Sequence, residues 1–230
     1  MKFTPGPIVS TLSGKQGGVV ASRNGSGSYF RRLAIPVTVT SDAAVAAKAA
    51  FANASQHWRT LTDAQQAAWK SFARENPVTD ALGQQVTLSG IAICTSLNSR
   101  LSQMSIAHID VPPVTAPPVA LATASLTPDI GAGDFDFDYT VSAVPASTQY
   151  WVWFAVVNSA GISYVRNLYR RASQIAAAAA SPYDPEAEIA LRFGTLQVGQ
   201  VIHFKAAAVS EVSGQISSFI FGKGTVVSTV

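Results

Sequence analysis

The chain has 230 residues, of which 48% are hydrophobic and 13% are charged, and its formal net charge is +3. This length allows one large domain or two small ones, and the low charged fraction suits a protein whose surface is largely covered by neighbours. The single cysteine, Cys94, excludes an internal disulfide, and no apolar run approaches the length of about 18 residues that spans a bilayer. We therefore expect a protein that is made in a cytoplasm and either stays soluble there or leaves it inside an assembly.

The N-terminal segment is basic throughout. Residues 1–41 contain no Asp or Glu, six glycines and five cations, which are Lys2, Lys15, Arg23, Arg31 and Arg32. Short strand-like runs at 8–13, 19–23 and 28–37 alternate with glycine-rich turns at 14–18 and 24–27, which predicts a small β meander. Because this segment is too polar and too rich in glycine to build a core, we expect it to become ordered on a partner surface. Residues 1–40 are therefore predicted to be an extended basic β-arm.

The arm carries the predicted partner-binding residues. Its strands can add to a neighbour's sheet edge while its cations pair with acidic groups. The residues expected to make these contacts are Lys15, Arg23, Tyr29, Arg31 and Arg32. Charge alone does not distinguish an acidic protein surface from a phosphate backbone, and a disordered, solvated N-terminus is the remaining alternative. We expect a protein partner rather than nucleic acid.

The next segment changes to helical periodicity. Ser41 and Asp42 form a helix start, Thr62 with Gln65 three residues later predicts a capping box, and Ser89 caps a third helix. The apolar stripe of the first helix includes Ala50, Phe51 and Ala54. Residues 41–111 are therefore predicted to form a small three-helix hub.

Four closely spaced prolines in residues 112–118 predict a semi-rigid linker. Beyond it the sequence alternates again in 134–141, is almost continuously apolar in 150–157, and supplies two further strands at the end. Residues 119–230 are therefore predicted to form an antiparallel β-sandwich. The expected fold class is α+β.

Asp134, Asp136 and Asp138 occupy alternate positions of one predicted strand. A calcium loop would need a glycine at its sixth position and an acid at its twelfth, where Tyr139 and Pro145 stand. We predict no metal here. The three carboxylates are instead expected to form a solvated strand face that discourages edge pairing or accepts the basic arm of a second copy.

No catalytic signature is present. His57, His108 and His203 fall in three different predicted elements, and none has a carboxylate or hydroxyl partner at a recognisable spacing. Cys94 lies in an apolar helical run, where a buried and inert thiol is expected. We therefore predict no catalytic residue, no metal ligand and no cofactor, and we do not expect an enzyme.

The C-terminal part contains Leu196-x-x-Gly199, Ile202-x-Phe204-x-Ala206-x-Ala208-Val209 and Gly214-x-Ile216-Ser217. This pattern resembles the end of a fibronectin type III domain, in which alternating apolar residues of the sixth strand face the core. The resemblance implies that Trp151 and Trp153 lie on the third strand and supply its core aromatic. Residues 172–193 depart from the pattern, because an alanine run and a helix replace a compact strand connection.

Residues 1–105 contain a second set of motifs, which are Ser13-Gly14-Lys15-x-Gly17-Gly18-x-Val20-x-Ser22-Arg23-Asn24, Tyr29-x-Arg31, Trp58-Arg59-x-Leu61-Thr62-Asp63-Ala64-Gln65, Ala68-Trp69 and Leu88-Ser89-Gly90. This combination resembles a group of proteins encoded in tailed-phage genomes near virion structural genes. The resemblance implies a component of the virion.

Together these observations predict a non-enzymatic structural protein of a tailed-phage virion. Its arm is expected to anchor it to capsid or head–tail proteins, and it would act as a cement, decoration or bridging component in a symmetric assembly. One alternative is a tail-associated adhesion or glycan-binding protein, for which exposed aromatics near the sandwich loops, such as Tyr183, would be evidence. The other alternative is nucleic-acid binding through the arm.

Overall fold

The computed structural model describes residues 2–3, 12–24, 27–35, 41–79, 84–131, 135–140, 147–176, 179 and 181–228. These residues contain four α-helices and a set of antiparallel sheets, so the predicted mixture of helices and antiparallel strands is confirmed. The chain divides into two compact units, Met1–Val45 and Ala46–Val230.

The smaller unit contains a four-stranded antiparallel sheet in the order β1-β4-β3-β2. Its strands are β1 (Lys2–Phe3), β2 (Gly14–Gln16), β3 (Val19–Asn24) and β4 (Gly27–Arg32). Gly17 has a φ of +56° in the two-residue turn between β2 and β3, a conformation that glycine adopts without a steric penalty. The predicted turn at 14–18 is therefore shorter than expected. Of the predicted strand at 8–13, residues 8–11 lie outside the described residues, and residues 12 and 13 are not in a strand.

The strands of this sheet pair with one another. Lys15 pairs with Val20, and Val20 pairs with Arg31 on its other side. Val20 and Ala21 are buried. The expectation that these strands become ordered only on a partner surface remains a prediction.

A helical region follows, which belongs to the larger unit except for residues 42–45. Its elements are α1 (Asp42–His57), a 3-10 turn (Trp58–Thr60), α2 (Asp63–Glu75), the hairpin of β5 (Val78–Thr79) and β6 (Gln85–Val86), and α3 (Gly90–Gln103). The predicted capping box is confirmed, since Gln65 N–H donates to Thr62 Oγ1 and Thr62 N–H donates to Gln65 Oε1. Ser89 caps α3 by accepting a hydrogen bond from Ala92 N–H. No helix in the described part of the chain is long and apolar enough to cross a membrane.

Helices α2 and α3 share a buried cluster, which consists of Leu61, Trp69, Ala73, Ile93, Cys94 and Leu97. Gly90 allows the close approach, because a Cβ there would lie 2.9 Å from the backbone nitrogen of Lys70. Helix α1 buries Ala50 and Ala54 but leaves Phe51 60% exposed, so the prediction that Phe51 shares their stripe is wrong. Phe51 follows Ala50 directly and therefore points about 100° away around the helix.

The rest of the larger unit is mainly β-structure. Its elements are β7 (Thr123–Pro128), β8 (Phe135–Thr140), β9 (Thr148–Val157), β10 (Arg170–Ile175), α4 (Glu186–Phe193), β11 (Val201–Ser210) and β12 (Ile220–Thr225). One sheet has the order β10-β9-β11-β12, and β7 pairs with β8 in a second sheet.

The two sheets share one hydrophobic cluster. Leu126 and Phe137 contribute from β7 and β8, and Phe154 and Phe204 contribute from β9 and β11. The ring of Phe137 packs edge-on against Phe204 and Phe154, with ring centres 5.2 and 6.3 Å apart. Packing between aromatic side chains therefore holds the two sheets together.

The helical region contacts the β-structure directly. Arg100 of α3 donates a hydrogen bond from Nη1 to the carbonyl oxygen of Gly214, at 3.0 Å. The proline-rich segment 112–118 lies within the same compact unit as both regions.

Candidate functional site

The first candidate site is the four-stranded sheet of β1–β4, which we call the basic sheet. Directly paired residues on neighbouring strands point to the same face, so Lys15 and Arg31 flank Val20 on one face. Tyr29 lies two residues before Arg31 on β4 and therefore shares this face. Lys15 and Arg31 are exposed, and Tyr29 is half-buried.

The opposite face of the basic sheet carries the other two predicted residues. Arg23 pairs with Ser28, and Arg32 pairs with Val19. Both arginines are exposed. The structure therefore does not gather the five predicted residues into one patch, and it places three on one face and two on the other.

One edge of the basic sheet is formed by β2. No described strand pairs with the outer edge of β2. A pocket of about 390 Å³ is lined by residues of β2, β3 and β4 and of the segment before β2, which are Leu12, Ser13, Gly14, Lys15, Gln16, Val19, Ala21 and Phe30. An unpaired strand edge next to exposed cations is a surface that can receive an extended segment of another chain.

The predicted acidic face lies on β8. Asp138 is exposed and Asp136 is half-buried, whereas Phe135 and Phe137 on the opposite side are fully buried. The alternation predicted from the sequence is thus confirmed for these positions, and Asp134 lies outside the described residues. The amide and carbonyl of Phe137 bond to Tyr183, so the edge of β8 is covered by its own chain at this point.

The second candidate site lies on the four-stranded sheet of the larger unit, on the face opposite the main cluster. Cross-strand pairing places Arg171 beside Trp153 and Trp153 beside Lys205. Lys205 in turn pairs with Phe221 on the edge strand β12. Cationic and aromatic side chains therefore alternate across this face.

The ammonium group of Lys205 lies among aromatic rings. Its Nζ atom is 5.1 Å from the ring centre of Trp153, 5.1 Å from that of Tyr169 and 5.0 Å from that of Phe219. Ring faces carry partial negative charge, so these contacts replace part of the lost hydration of the ammonium group.

A pocket of about 520 Å³ opens beside this lysine. We call it the aromatic pocket, and its lining residues are Ser163, Tyr164, Val165, Arg166, Tyr169, Lys205, Phe219 and Phe221. Tyr164 is 74% exposed and Phe221 is 63% exposed. Two cations and no acid line the pocket.

The charge of the aromatic pocket is not compensated by the described residues. Burial, followed by the charge of Arg166, holds the pKa of Lys205 below its ordinary value. Within the described part of the chain, no carboxylate lies within 4.0 Å of either cation. An anion in the pocket would therefore be attracted by both groups.

The resemblance to fibronectin type III domains placed the two tryptophans of β9 incorrectly. Trp151 and Trp153 lie outside the cluster between the sheets, where Tyr150, Val152 and Phe154 stand instead. The sequence of β9 is apolar on both faces, so its periodicity does not show which face lies against the main cluster. The face that carries the tryptophans was therefore assigned to the core in error.

Tyr183 is not the exposed aromatic that was expected. It is half-buried, its hydroxyl donates to Glu188 Oε1 at 2.5 Å, and burial together with this bond raises its pKa to about 12. Exposed aromatics of this domain are instead Tyr164, Phe219 just before β12, and Phe221 on β12. The alternate spacing of Phe219 and Phe221 was the signal that could have identified these two.

The histidines are closer together than the sequence suggested. The ring centres of His57 and His108 lie 4.8 Å apart, and His57 Nε2 is 3.1 Å from Asp110 Oδ1. Ser102 Oγ and His108 Nε2 share a hydrogen bond of 2.7 Å. The carboxylate faces His57 rather than His108, so no serine–histidine–carboxylate chain is formed.

We expect this histidine pair to make the protein less stable in mild acid. Burial, followed by the charge of His57, holds the pKa of His108 below its ordinary value of 6.5. The unfolded chain therefore binds this proton at higher pH than the folded protein, and the free energy of unfolding falls as pH drops below the ordinary value. Between about pH 7.5 and pH 5.5, the melting temperature should decrease more for the unmodified chain than for His108→Gln. Equal decreases would contradict this assignment.

No group of three or more His, Cys, Asp or Glu residues that could hold a metal ion is found among the described residues. Cys94 is buried, and burial raises the pKa of its thiol. Comparison with known proteins gives no match to any family model and none to a curated protein. The two candidate sites are therefore interpreted from their own residues.

Proposed function

We propose that the chain is a non-enzymatic structural component of a tailed-phage virion, made in the host cytoplasm and held to capsid or head–tail proteins by residues 1–40. The observation that carries this proposal is the basic sheet, which belongs to a compact unit of its own and exposes cations on both faces. The virion assignment is supported by the sequence motifs of residues 1–105.

The basic sheet suits a docking function for two reasons. Its described cations have no acidic residue near them in sequence, since residues 1–41 contain none. The unpaired edge of β2 supplies backbone donors and acceptors to a second chain. Exposed ion pairs contribute only about 0.2–1 kcal/mol each, so many copies in a symmetric assembly are needed for firm attachment.

We further propose that the predicted segments act as functional parts, with 1–40 as the anchor, 41–111 as a three-helix hub, 112–118 as a spacer and 119–230 as a body resembling fibronectin type III domains. The shared cluster between the two sheets supports the sandwich interpretation. Leu196 is buried and Gly199 has a φ of +89°, which agrees with the leucine and glycine of the resemblance. Tyr150, Val152 and Phe154 would supply the core of its third strand.

The exposed carboxylate of Asp138 makes a second copy of this chain another candidate partner for residues 1–40. A neighbouring copy could present Asp136 and Asp138 to the basic sheet, which would build a head-to-tail array. In this arrangement the partner groups are carboxylates rather than phosphates.

Charge reversal on each face of the basic sheet tests the proposal. One double variant is Lys15→Glu with Arg31→Glu, and the other is Arg23→Glu with Arg32→Glu. We expect the variant on the docking face to lower the number of copies per purified particle by about tenfold or more, because it replaces attraction by repulsion. Quantitative mass spectrometry of purified particles measures this number.

The matched control reverses two exposed cations of the helical region, Arg59→Glu with Arg74→Glu. It changes the net charge by the same amount and should leave incorporation unchanged. Incorporation of both sheet variants at the normal level would overturn the anchoring role.

Two further measurements address the alternatives. Titration against duplex DNA at several salt concentrations would reveal nucleic-acid binding by a steep decrease in affinity with salt. A serine-reactive phosphonate probe would label Ser102 if its contact with His108 activated it, and labelling that is lost in Ser102→Ala would contradict the non-enzymatic proposal.

A further inference from the structure

We propose that the aromatic pocket binds an acidic saccharide, with a pyranose ring stacked on the exposed aromatic rings and its carboxylate held by Lys205 and Arg166. This site lies in the larger unit and is independent of the anchoring role of residues 1–40. The shape, the chemistry and the charge of the pocket each favour this ligand.

The aromatic side chains provide a platform. The rings of Trp153 and Phe219 are 5.5 Å apart, and those of Phe219 and Phe221 are 6.2 Å apart. Phe219 and Phe221 remain 41% and 63% exposed, which is unusual for residues that could be buried. The C–H groups on one side of a pyranose ring carry partial positive charge and are attracted to the negative face of an aromatic ring.

The pocket also contains polar groups suited to a sugar. The lining includes the hydroxyl-bearing residues Ser163, Tyr164 and Tyr169. Its volume of about 520 Å³ falls within the usual range of small-ligand pockets, about 300–1,000 Å³. An apolar surface with a few hydroxyl groups around it matches a molecule that has one apolar face and hydroxyls at its rim.

The positive charge of the pocket favours an acidic saccharide over a neutral one. Arg166 and Lys205 line one pocket, their repulsion contributes to the lowered pKa of the lysine, and no described carboxylate neutralises them. A neutral sugar would leave this repulsion unchanged. A hexuronate carboxylate would relieve it and would gain charge-assisted hydrogen bonds.

The geometry favours a saccharide over single-stranded nucleic acid. Nucleic-acid channels place cations and stacking rings along several nucleotides, about 4–16 for each binding fold. Two further cations lie on this face: Arg171, which is 4.3 Å from the ring centre of Trp151, a residue only 4% exposed, and Lys223, two residues after Phe221 on β12. The exposed rings of Tyr164, Phe219 and Phe221 all line the one pocket, so they do not form a track of stacking platforms.

The proposal is tested by titrating the full chain with tetramers of galacturonate and of glucuronate, with the neutral galactose tetramer and with a short single-stranded thymidine oligomer. Tryptophan fluorescence and calorimetry report binding. We expect an acidic tetramer to bind more tightly than the neutral one by about tenfold or more, and this preference should decrease with salt. Tighter binding of the thymidine oligomer, or no binding of either acidic tetramer at millimolar concentration, would overturn the proposal.

Three variants assign the interaction to the pocket. Phe221→Ala should weaken binding of the acidic tetramer by about tenfold, since it removes an exposed ring of the platform. Lys205→Met should lower the preference for the acidic over the neutral tetramer, since only Arg166 then remains to hold the carboxylate, and Lys205→Arg should retain it. Phe51→Ala removes an equally exposed ring on α1 and is the matched control, which should bind normally. Unchanged affinity in Phe221→Ala, or an equal loss in Phe51→Ala, would contradict this location.

Discussion

Replacing Phe137 by alanine should lower the free energy of unfolding of the larger unit by about 3–5 kcal/mol, the usual cost of removing a buried phenylalanine ring. Phe137 is 0% exposed and lies between the two sheets, where its ring contacts those of Phe154 and Phe204 edge-on. The substitution leaves a cavity lined by aromatic rings that cannot collapse without moving a strand. Urea denaturation followed by circular dichroism measures the loss.

The control for this prediction is Phe221→Ala. It removes the same ring from a position that is 63% exposed, so it should change the free energy of unfolding by less than about 1 kcal/mol. A similar loss in both variants would mean that the shared cluster does not hold the sheets together. A stable Phe221→Ala protein is also what the saccharide experiment requires.

Local features of the fold were predictable from the sequence because their causes are local. The capping box of α2 needs only Thr62 and Gln65 at the right spacing, and both hydrogen bonds are present. The alternation in β8 identified Phe135 and Phe137 as buried residues because polar residues separate them.

The face assignment of β9 was not predictable in the same way. Its sequence is apolar on both sides, and the strand lies between β10 and β11 with only one face toward the main cluster. Which face is covered depends on β7 and β8, which precede it in the chain and belong to another sheet. The aromatic pocket was missed for this reason, since Trp153 was assigned to the core.

The contact between His57 and His108 depends on chain geometry that spacing alone does not specify. His57 ends α1, whereas His108 follows α3 in a segment held by Asn98. The side chain of Asn98 accepts from Ile109 N–H at 2.8 Å and donates to its carbonyl oxygen at 3.2 Å. A buried amide that bonds to a distant backbone leaves no periodic signal in the sequence.

The junction between α3 and the β-structure leads to the second large prediction, which is that Gly214→Ala destabilises the larger unit by about 2–5 kcal/mol. Gly214 is buried with a φ of +66°, and a Cβ there would collide with the carbonyl oxygen of Leu97 on α3. The variant must therefore shift the helix or the loop, and either movement disturbs the bond from Arg100 to the Gly214 carbonyl.

Gly199→Ala separates the cost of a side chain at positive φ from the cost of the collision with α3. Gly199 also has a positive φ, at +89°, but a Cβ there would meet nothing within 4 Å. It should therefore lose only the backbone contribution of about 1–2 kcal/mol. Denaturation curves of the two variants, compared with that of the unmodified chain, give the difference between them. If that difference is absent, α3 does not pack against this loop in solution, and the helical region and the β-structure would unfold as independent parts.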